Sequence, residues 1–81
     1  MKDYIKAHKY SINHKEKLQQ DEICGCFRCL NIFNPSEITE WIPDKKGTAV
    51  CPYCGIDSII GESSGYPINK EFLEKMNKYW F

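Results

Sequence analysis

The chain has no net charge, a single arginine and no long apolar run. Its eleven basic and eleven acidic side chains cancel, which excludes a generally basic nucleic-acid-wrapping protein and an acidic tail protein. Arg28, the single arginine, is a weak basis for recognising phosphates or bases. No segment approaches the roughly 20 apolar residues of a membrane-spanning helix, and residues 1–17 lack the apolar region of a secretory signal. We therefore expect a cytoplasmic protein with no membrane partner.

The chain is also short, and its five cysteines indicate what compensates for a small core. A domain of 81 residues gains little net stability from apolar burial alone. The cytosol disfavours structural disulfides, and an odd number of thiols cannot all pair within one chain. A bound metal ion is therefore the expected source of additional stability.

Two C-x-x-C pairs carry the metal prediction: Cys26 with Cys29, and Cys51 with Cys54, with 21 residues between the pairs. This spacing is typical of four-thiolate zinc sites, because each tight turn presents two sulfurs to one ion. Four protein ligands leave no open position to activate water. We therefore expect one structural zinc ion, with iron in the same geometry as an alternative. Redox disulfides within each pair are disfavoured, because the βαβ context of thioredoxin-like motifs is absent.

Cys24 is the thiol left over. It is interpreted as a spare, partly buried cysteine, with replacement of Cys26 as a ligand as the alternative. A reactive thiolate at this position is the basis of a third functional hypothesis below. Ser58 has no nearby histidine in the sequence to activate it, so no catalytic residue is predicted.

The sequence predicts a basic, partly helical N-terminal arm over residues 1–22, followed by a zinc-binding domain over residues 23–81. Ser11 could cap a helical segment over residues 12–22, but the sparse apolar stripe of that segment predicts weak docking. In the domain we expect a short helix over 35–41, strands over 48–50 and 56–60, and a C-terminal helix over 69–81 with an asparagine cap.

These elements predict a small α+β fold: a zinc ribbon or rubredoxin-like double cysteine knuckle with short strands and a C-terminal helix. A treble clef, in which the second cysteine pair opens a helix, is the alternative, but Gly55 directly after Cys54 disfavours a helix start there. Phe27 and Tyr53 lie at the tips of the two turns, where side chains are usually exposed and can contact a partner, but packing in the core is the default expectation for both. The terminal residues 79–81, Tyr-Trp-Phe, are expected to dock on the body, because exposed rings promote association, with an exposed anchor for another protein as the alternative.

Three motifs occur together along the chain: C-x-C-F-x-C at 24–29, C-P-Y-C-G-I-D-S at 51–58 and the terminal Y-W-F. With this combination, residues 5–81 resemble a family of short bacterial and phage zinc-ribbon-like proteins that are usually labelled only "cytoplasmic protein". The resemblance implies a small intracellular metal-binding domain, with Cys26, Cys29, Cys51 and Cys54 as ligands and no catalytic residue.

The functional expectation is a non-enzymatic zinc-binding module that acts as an adaptor or regulator through contacts with another protein. No small-molecule substrate is evident. The first alternative is a nucleic-acid-binding zinc ribbon that uses the lysines of the arm together with Phe27 and Tyr53. The second alternative is a thiol or redox enzyme that uses Cys24.

Overall fold

The N-terminal part of the chain forms three short helical turns instead of one helix. The computed structural model describes residues 3–12, 14–43 and 45–81, so residues 1, 2 and 13 of the predicted arm lie outside the described residues. Helix α1 (Asp3–Lys6), a 3₁₀ turn (Ala7–Ser11) and helix α2 (Lys15–Leu18) follow one another. The predicted cap is wrong, because the Ser11 hydroxyl donates backwards to the His8 carbonyl at 2.7 Å.

Within the part of the chain that the structure describes, five short strands form two antiparallel sheets. In the larger sheet, β1 (Cys24–Cys26) lies between β2 (Ile32–Phe33) and β5 (Ile59–Gly61), and in the smaller one β3 (Trp41–Ile42) pairs with β4 (Thr48–Ala49). The strands β1 and β4 each run into one of the two cysteine pairs. The predicted small α+β fold with short strands is confirmed.

The predicted helix over 35–41 is wrong beyond its first turn. The Asn34 side chain accepts from the backbone N–H of Ser36 at 2.9 Å, as an N-cap does, but the 3₁₀ helix that follows ends at Glu37. Ile38 is extended and buried, and Trp41 pairs opposite Ala49 in the smaller sheet. Burial and strand pairing therefore override the local helix signal. The strand predicted over 56–60 begins three residues later, at Ile59.

The C-terminal helix is confirmed as α3 (Lys70–Trp80). The Asn69 side chain accepts from the backbone N–H of Phe72 at 2.8 Å, which satisfies one of the free donors at the helix start. Phe72, Leu73 and Met76 point inward and are buried. The helix therefore covers the larger sheet with one apolar face.

The buried side chains form two clusters on either side of the larger sheet. The cysteine-side cluster contains thiols and aliphatic or aromatic residues: Leu18, Cys24, Cys26, Phe33, Ile38, Ala49, Cys51 and Ile59. The helix-side cluster lies under α3 and contains Ala7, Phe27, Ile60, Phe72, Leu73 and Met76. Each cluster includes one residue from the N-terminal segment, so this segment contributes to both halves of the core.

Polar contacts also fix the N-terminal segment, in contrast to the expected weak docking. The His14 ring joins the Tyr10 carbonyl (2.9 Å) to the backbone N–H of Ala49 (3.2 Å). The Asp21 carboxylate accepts from the backbone N–H and hydroxyl of Ser63 at 3.0 and 2.9 Å. A side chain at Gly61 would overlap Leu18 and Asp21. The sparse apolar stripe of the sequence gives no sign of these backbone and carboxylate contacts.

Candidate metal centre

The four cysteines of the two C-x-x-C pairs meet in space. Their sulfur atoms all lie within 4.8 Å of one another, and the Cys26–Cys54 and Cys29–Cys51 sulfur pairs are each 3.6 Å apart. Tetrahedral coordination at Zn–S distances of about 2.3 Å places sulfurs about 3.8 Å apart, whereas a disulfide needs about 2.05 Å. All four are free thiols, and their arrangement could hold a metal ion.

In the first cysteine turn, backbone N–H groups donate to the sulfur of the first cysteine of that turn. The Cys26 sulfur accepts from the N–H groups of Arg28 and Cys29 at 3.3 and 3.4 Å. The turn closes with the Leu30 N–H on the Cys26 carbonyl at 2.8 Å and the Cys26 N–H on the Asn31 carbonyl at 3.0 Å. Backbone N–H groups that donate to a cysteine sulfur are the contacts that orient and stabilise the ligands of a four-thiolate metal site.

The second turn repeats this backbone. The Cys51 sulfur accepts from the Tyr53 N–H at 3.4 Å, and the Gly55 N–H donates to the Cys51 carbonyl at 2.9 Å. The residue after the second cysteine is left-handed in both turns, with φ of 66° at Leu30 and 76° at Gly55. Residues 55–58 then lead into β5 rather than into a helix. The geometry is compatible with a zinc-ribbon-like pair of knuckles and does not fit the treble-clef alternative.

The thiols of Cys29, Cys51 and Cys54 have shifted pKa values. Burial raises the pKa of the Cys51 and Cys54 thiols. At Cys29 burial acts in the same direction, but hydrogen bonds from the backbone and side chain of Asn31 outweigh it and lower the pKa to about 7. Metal binding therefore has to displace protons from the buried thiols, and Cys29 is already the most acidic of these three.

Two polar side chains beside the sulfurs were missed by the sequence analysis. The Asn31 amide donates to the Cys29 sulfur at 3.2 Å, and the buried Ser58 hydroxyl lies 3.0 Å from the Cys26 sulfur. When Cys26 is a thiolate, Ser58 is the donor. Asn31 follows Cys29 by two residues, so its proximity could have been inferred. Ser58 is far from Cys26 in sequence, and only the pairing of β1 with β5 brings them together.

Cys24 lies outside the group of four sulfurs. Among the residues that the structure describes, Cys26, Cys29, Cys51 and Cys54 are the one group of three or more candidate metal-binding side chains. Cys24 is fully buried, and burial, with the nearby Asp21 and Glu37 carboxylates, raises its pKa to about 12. The hypothesis of an exposed reactive thiolate at Cys24 therefore loses its basis, because thiolates and not thiols are the reactive form.

The tips of the two turns differ in exposure. Phe27 is 2% exposed and belongs to the helix-side cluster, in agreement with the default expectation of packing, whereas Tyr53 is 55% exposed, as tip residues usually are. The Asn77 amide of α3 donates to the carbonyls of Phe27 and Arg28 at 3.0 and 3.1 Å. Helix α3 therefore holds the backbone of the first turn through these hydrogen bonds and buries the Phe27 ring.

The terminal rings dock in part. The Trp80 indole N–H donates to the Tyr4 carbonyl at 3.3 Å, and its ring centroid lies 4.0 Å from that of His8. Phe81 contacts Phe27 with ring centroids 5.8 Å apart, yet remains 57% exposed. The C-terminus is thus attached to the body while presenting apolar surface.

Comparisons of the chain with protein-family models, with curated proteins and with solved structures give no match. None of the helices within the described residues is both long enough and apolar enough to cross a membrane.

Proposed function

We propose that the protein is a zinc-binding module in which Cys26, Cys29, Cys51 and Cys54 hold one structural zinc ion. The observation that carries this proposal is the approach of four sulfurs from two matched turns to within 4.8 Å. Zinc accepts four thiolates in a tetrahedral shell, and a closed shell leaves no position for a reacting water. A structural role, and not catalysis, follows from that donor set.

Metal analysis tests the proposal directly. We expect protein purified without a metal-binding tag to contain one zinc per chain, and a strong chelator to abolish its cooperative unfolding transition. Finding stoichiometric iron, with a visible absorption band, would change the identity of the bound metal from zinc to iron and would leave the structural role of the site unchanged. Metal-free protein that keeps its melting behaviour in chelator would overturn the proposal.

We further propose that the module acts in the cytoplasm as an adaptor or regulator that binds another protein. The support is an apolar docking face around a cleft of about 240 Å³, lined by Ile12, Ile56, Trp80 and Phe81 among other residues. These four side chains are between 38% and 57% exposed. Contiguous apolar surface is more typical of protein-binding sites than of free surface.

A matched pair of variants tests the docking face. We expect wild-type protein to retain a specific partner from lysate of its source cells at moderate salt, and Phe81→Ser to lose it. Ile42→Ser, which changes another exposed apolar residue, in β3 and outside the lining of this cleft, is the control and should retain the partner. Equal retention by all three proteins would exclude this face.

Nucleic-acid binding is the weaker candidate. Of the two rings on which it relied, only Tyr53 is exposed, and the Tyr53 hydroxyl donates to the Glu37 carboxylate. The remaining support is the lysine content of the N-terminal segment. Binding to single-stranded or duplex probes that appears only at low salt would indicate simple charge attraction and not recognition.

A further inference from the structure

Two of the four cysteines at the metal centre are partly open to solvent. The first cysteine of each pair, Cys26 or Cys51, is buried, whereas the second, Cys29 or Cys54, is half-buried. In the metal-loaded protein all four are thiolates, the nucleophilic form of cysteine. A reagent that reaches the centre from solvent therefore meets Cys29 or Cys54 first, and the two differ in nucleophilicity and access and not in protonation.

The backbone surrounds these two half-buried sulfurs in the same way. In each turn the residue two positions after the second cysteine donates its backbone N–H to that sulfur, from Asn31 to Cys29 and from Ile56 to Cys54. The carbonyls of the same two residues accept from the N–H of the first cysteine of their turn, at 3.0 and 2.9 Å. Asn31 and Ile56 therefore occupy matching positions in the two turns.

The side chains at these matching positions differ. The Asn31 amide donates to the Cys29 sulfur at 3.2 Å, whereas Ile56 has no polar group to offer Cys54. Within the part of the chain that the structure describes, only the side chains of other cysteines are hydrogen-bonded to the Cys54 sulfur. A hydrogen bond to a thiolate stabilises its charge and lowers its nucleophilicity. Cys54 is therefore the more nucleophilic of the two half-buried thiolates.

Access to the second turn is also less restricted. Gly55, which follows Cys54, is exposed, and no atom beyond its chain neighbours lies within 4 Å of the position that a Cβ would take. The matching residue of the first turn, Leu30, packs against the helix-side cluster. Helix α3 holds that turn through the Asn77 amide. A reagent that approaches from solvent therefore meets less of the protein beside Cys54 than beside Cys29.

From these differences we propose that Cys54 is a modification site, the thiolate at which the metal-loaded protein reacts first with soft carbon electrophiles. The Cys54 sulfur attacks the electrophilic carbon, an S–C bond forms, and the bond from that carbon to its leaving group breaks, so that the leaving group departs as an anion. The thioether that results is uncharged, and the centre keeps three thiolates and binds its ion more weakly. This inference rests on the proposed zinc site and adds a route by which that site is disabled.

Labelling of the zinc-loaded protein with iodoacetamide tests the order of reaction. The reagent is added below the thiol concentration at pH 7, peptide mass spectrometry locates the label, and a chromogenic chelator reports released zinc. One charged hydrogen bond changes the nucleophilicity of a thiolate about threefold. We therefore expect Cys54 to react at least about threefold faster than Cys29, with zinc released in step with the labelling of Cys54.

The metal content, measured before labelling, separates the two ways in which this experiment can fail. Protein without stoichiometric metal would refute the zinc site, and this proposal with it. Zinc-loaded protein in which Cys29 reacts first, or in which both cysteines react at the same rate, would refute this proposal alone and leave the zinc site unaffected.

Exchanging the two matching side chains should reverse the order. Ile56→Asn should slow the labelling of Cys54 about threefold, and Asn31→Ile should speed that of Cys29 by a similar factor. Ile42→Asn makes the same substitution at a residue that is equally exposed (39%) but lies in β3, outside both cysteine turns, and each rate should change less than twofold. If Ile56→Asn does not fold, Asn31→Ala, at an exposed position, tests the same protection. Rates that both exchanges leave unchanged, or that Ile42→Asn changes equally, would overturn the proposal.

Discussion

The two cysteine turns share a backbone and differ in their surroundings. Both close with the same hydrogen bond from the residue after the second cysteine to the carbonyl of the first. The aromatic residue of the first turn, Phe27, directly follows Cys26, is 2% exposed and packs with α3, whereas the aromatic residue of the second turn, Tyr53, directly precedes Cys54 and is 55% exposed. The first turn therefore contributes its aromatic ring to the core, whereas the second turn has its aromatic ring at the surface.

This difference shows that the metal geometry constrains only part of each turn. The sulfurs and the N–H donors are set by the backbone, which both turns provide. The side chains between the cysteines are left free, so one turn uses its aromatic residue for stability and the other presents it to solvent. Variants at matching cysteines should therefore have equal effects, and variants at the aromatic residue of each turn should have unequal effects.

The largest effect is expected at the sulfurs, where the two turns should behave alike. Cys26→Ser and Cys51→Ser should each lose stoichiometric metal and cooperative folding. Structural zinc contributes roughly 10 kcal/mol or more in small domains, which is comparable to the whole stability of a protein of this size. Cys24→Ala is the control and should keep its metal. Metal analysis and amide NMR measure both; a folded, metal-loaded Cys51→Ser protein would contradict the four-thiolate site.

The next effect should separate the turns. Phe27→Ala should lower the free energy of unfolding by about 3–5 kcal/mol, because it leaves a cavity in the helix-side cluster. Tyr53→Ala should have a clearly smaller effect, since its ring is mostly in solvent. Urea unfolding at a fixed zinc concentration measures the difference, with Phe27→Leu as a milder variant if Phe27→Ala does not fold. Equal losses at the two positions would refute the division into core and surface turns.

A smaller effect is expected at the left-handed residue of each turn. Gly55→Ala should lower the free energy of unfolding by about 1–2 kcal/mol, because a residue with a side chain is strained at this φ. No atom lies within 4 Å of the added methyl group, so the cost is purely conformational. Leu30→Gly removes the same strain but also part of the helix-side packing, and it should change stability less. A stabilised Gly55→Ala protein would show that the second turn opens in solution.

The two cysteine turns and the C-terminal helix could be predicted from the sequence, because both depend on local signals. The two C-x-x-C pairs fix the turns, and Asn69 caps α3 through a contact three residues away. Burial of Phe27 was expected only as the default for an aromatic residue, and its place under α3 could not be predicted, since it depends on where α3 crosses the sheet. The length of the Pro35–Glu37 helix was overestimated, because it also depends on contacts between residues distant in sequence. Pairing of β3 with β4 draws Trp41 into a strand. The polar attachment of the N-terminal segment likewise depends on residues distant in sequence.

The smallest effect concerns the position two residues before each turn, where Cys24 and Ala49 are both fully buried. The pKa of Cys24 is raised from 9.0 to about 12 in the folded protein, chiefly by burial. Above pH 9 the unfolded chain releases this proton while the folded chain keeps it, so stability is complete below pH 9 and falls as the pH rises towards 12. At pH 10 the loss is about 1 kcal/mol.

Cys24→Ala makes the first turn match the second and removes this dependence. Other groups also titrate in alkali, so the informative quantity is the difference in free energy of unfolding between wild type and variant, measured from pH 8 to 11 at constant zinc. That difference should be constant below pH 9 and then shift in favour of the variant. Parallel free-energy profiles up to pH 11 would mean that Cys24 reaches solvent in the folded protein and forms a thiolate there. The thiol at the start of the first turn would then not be buried.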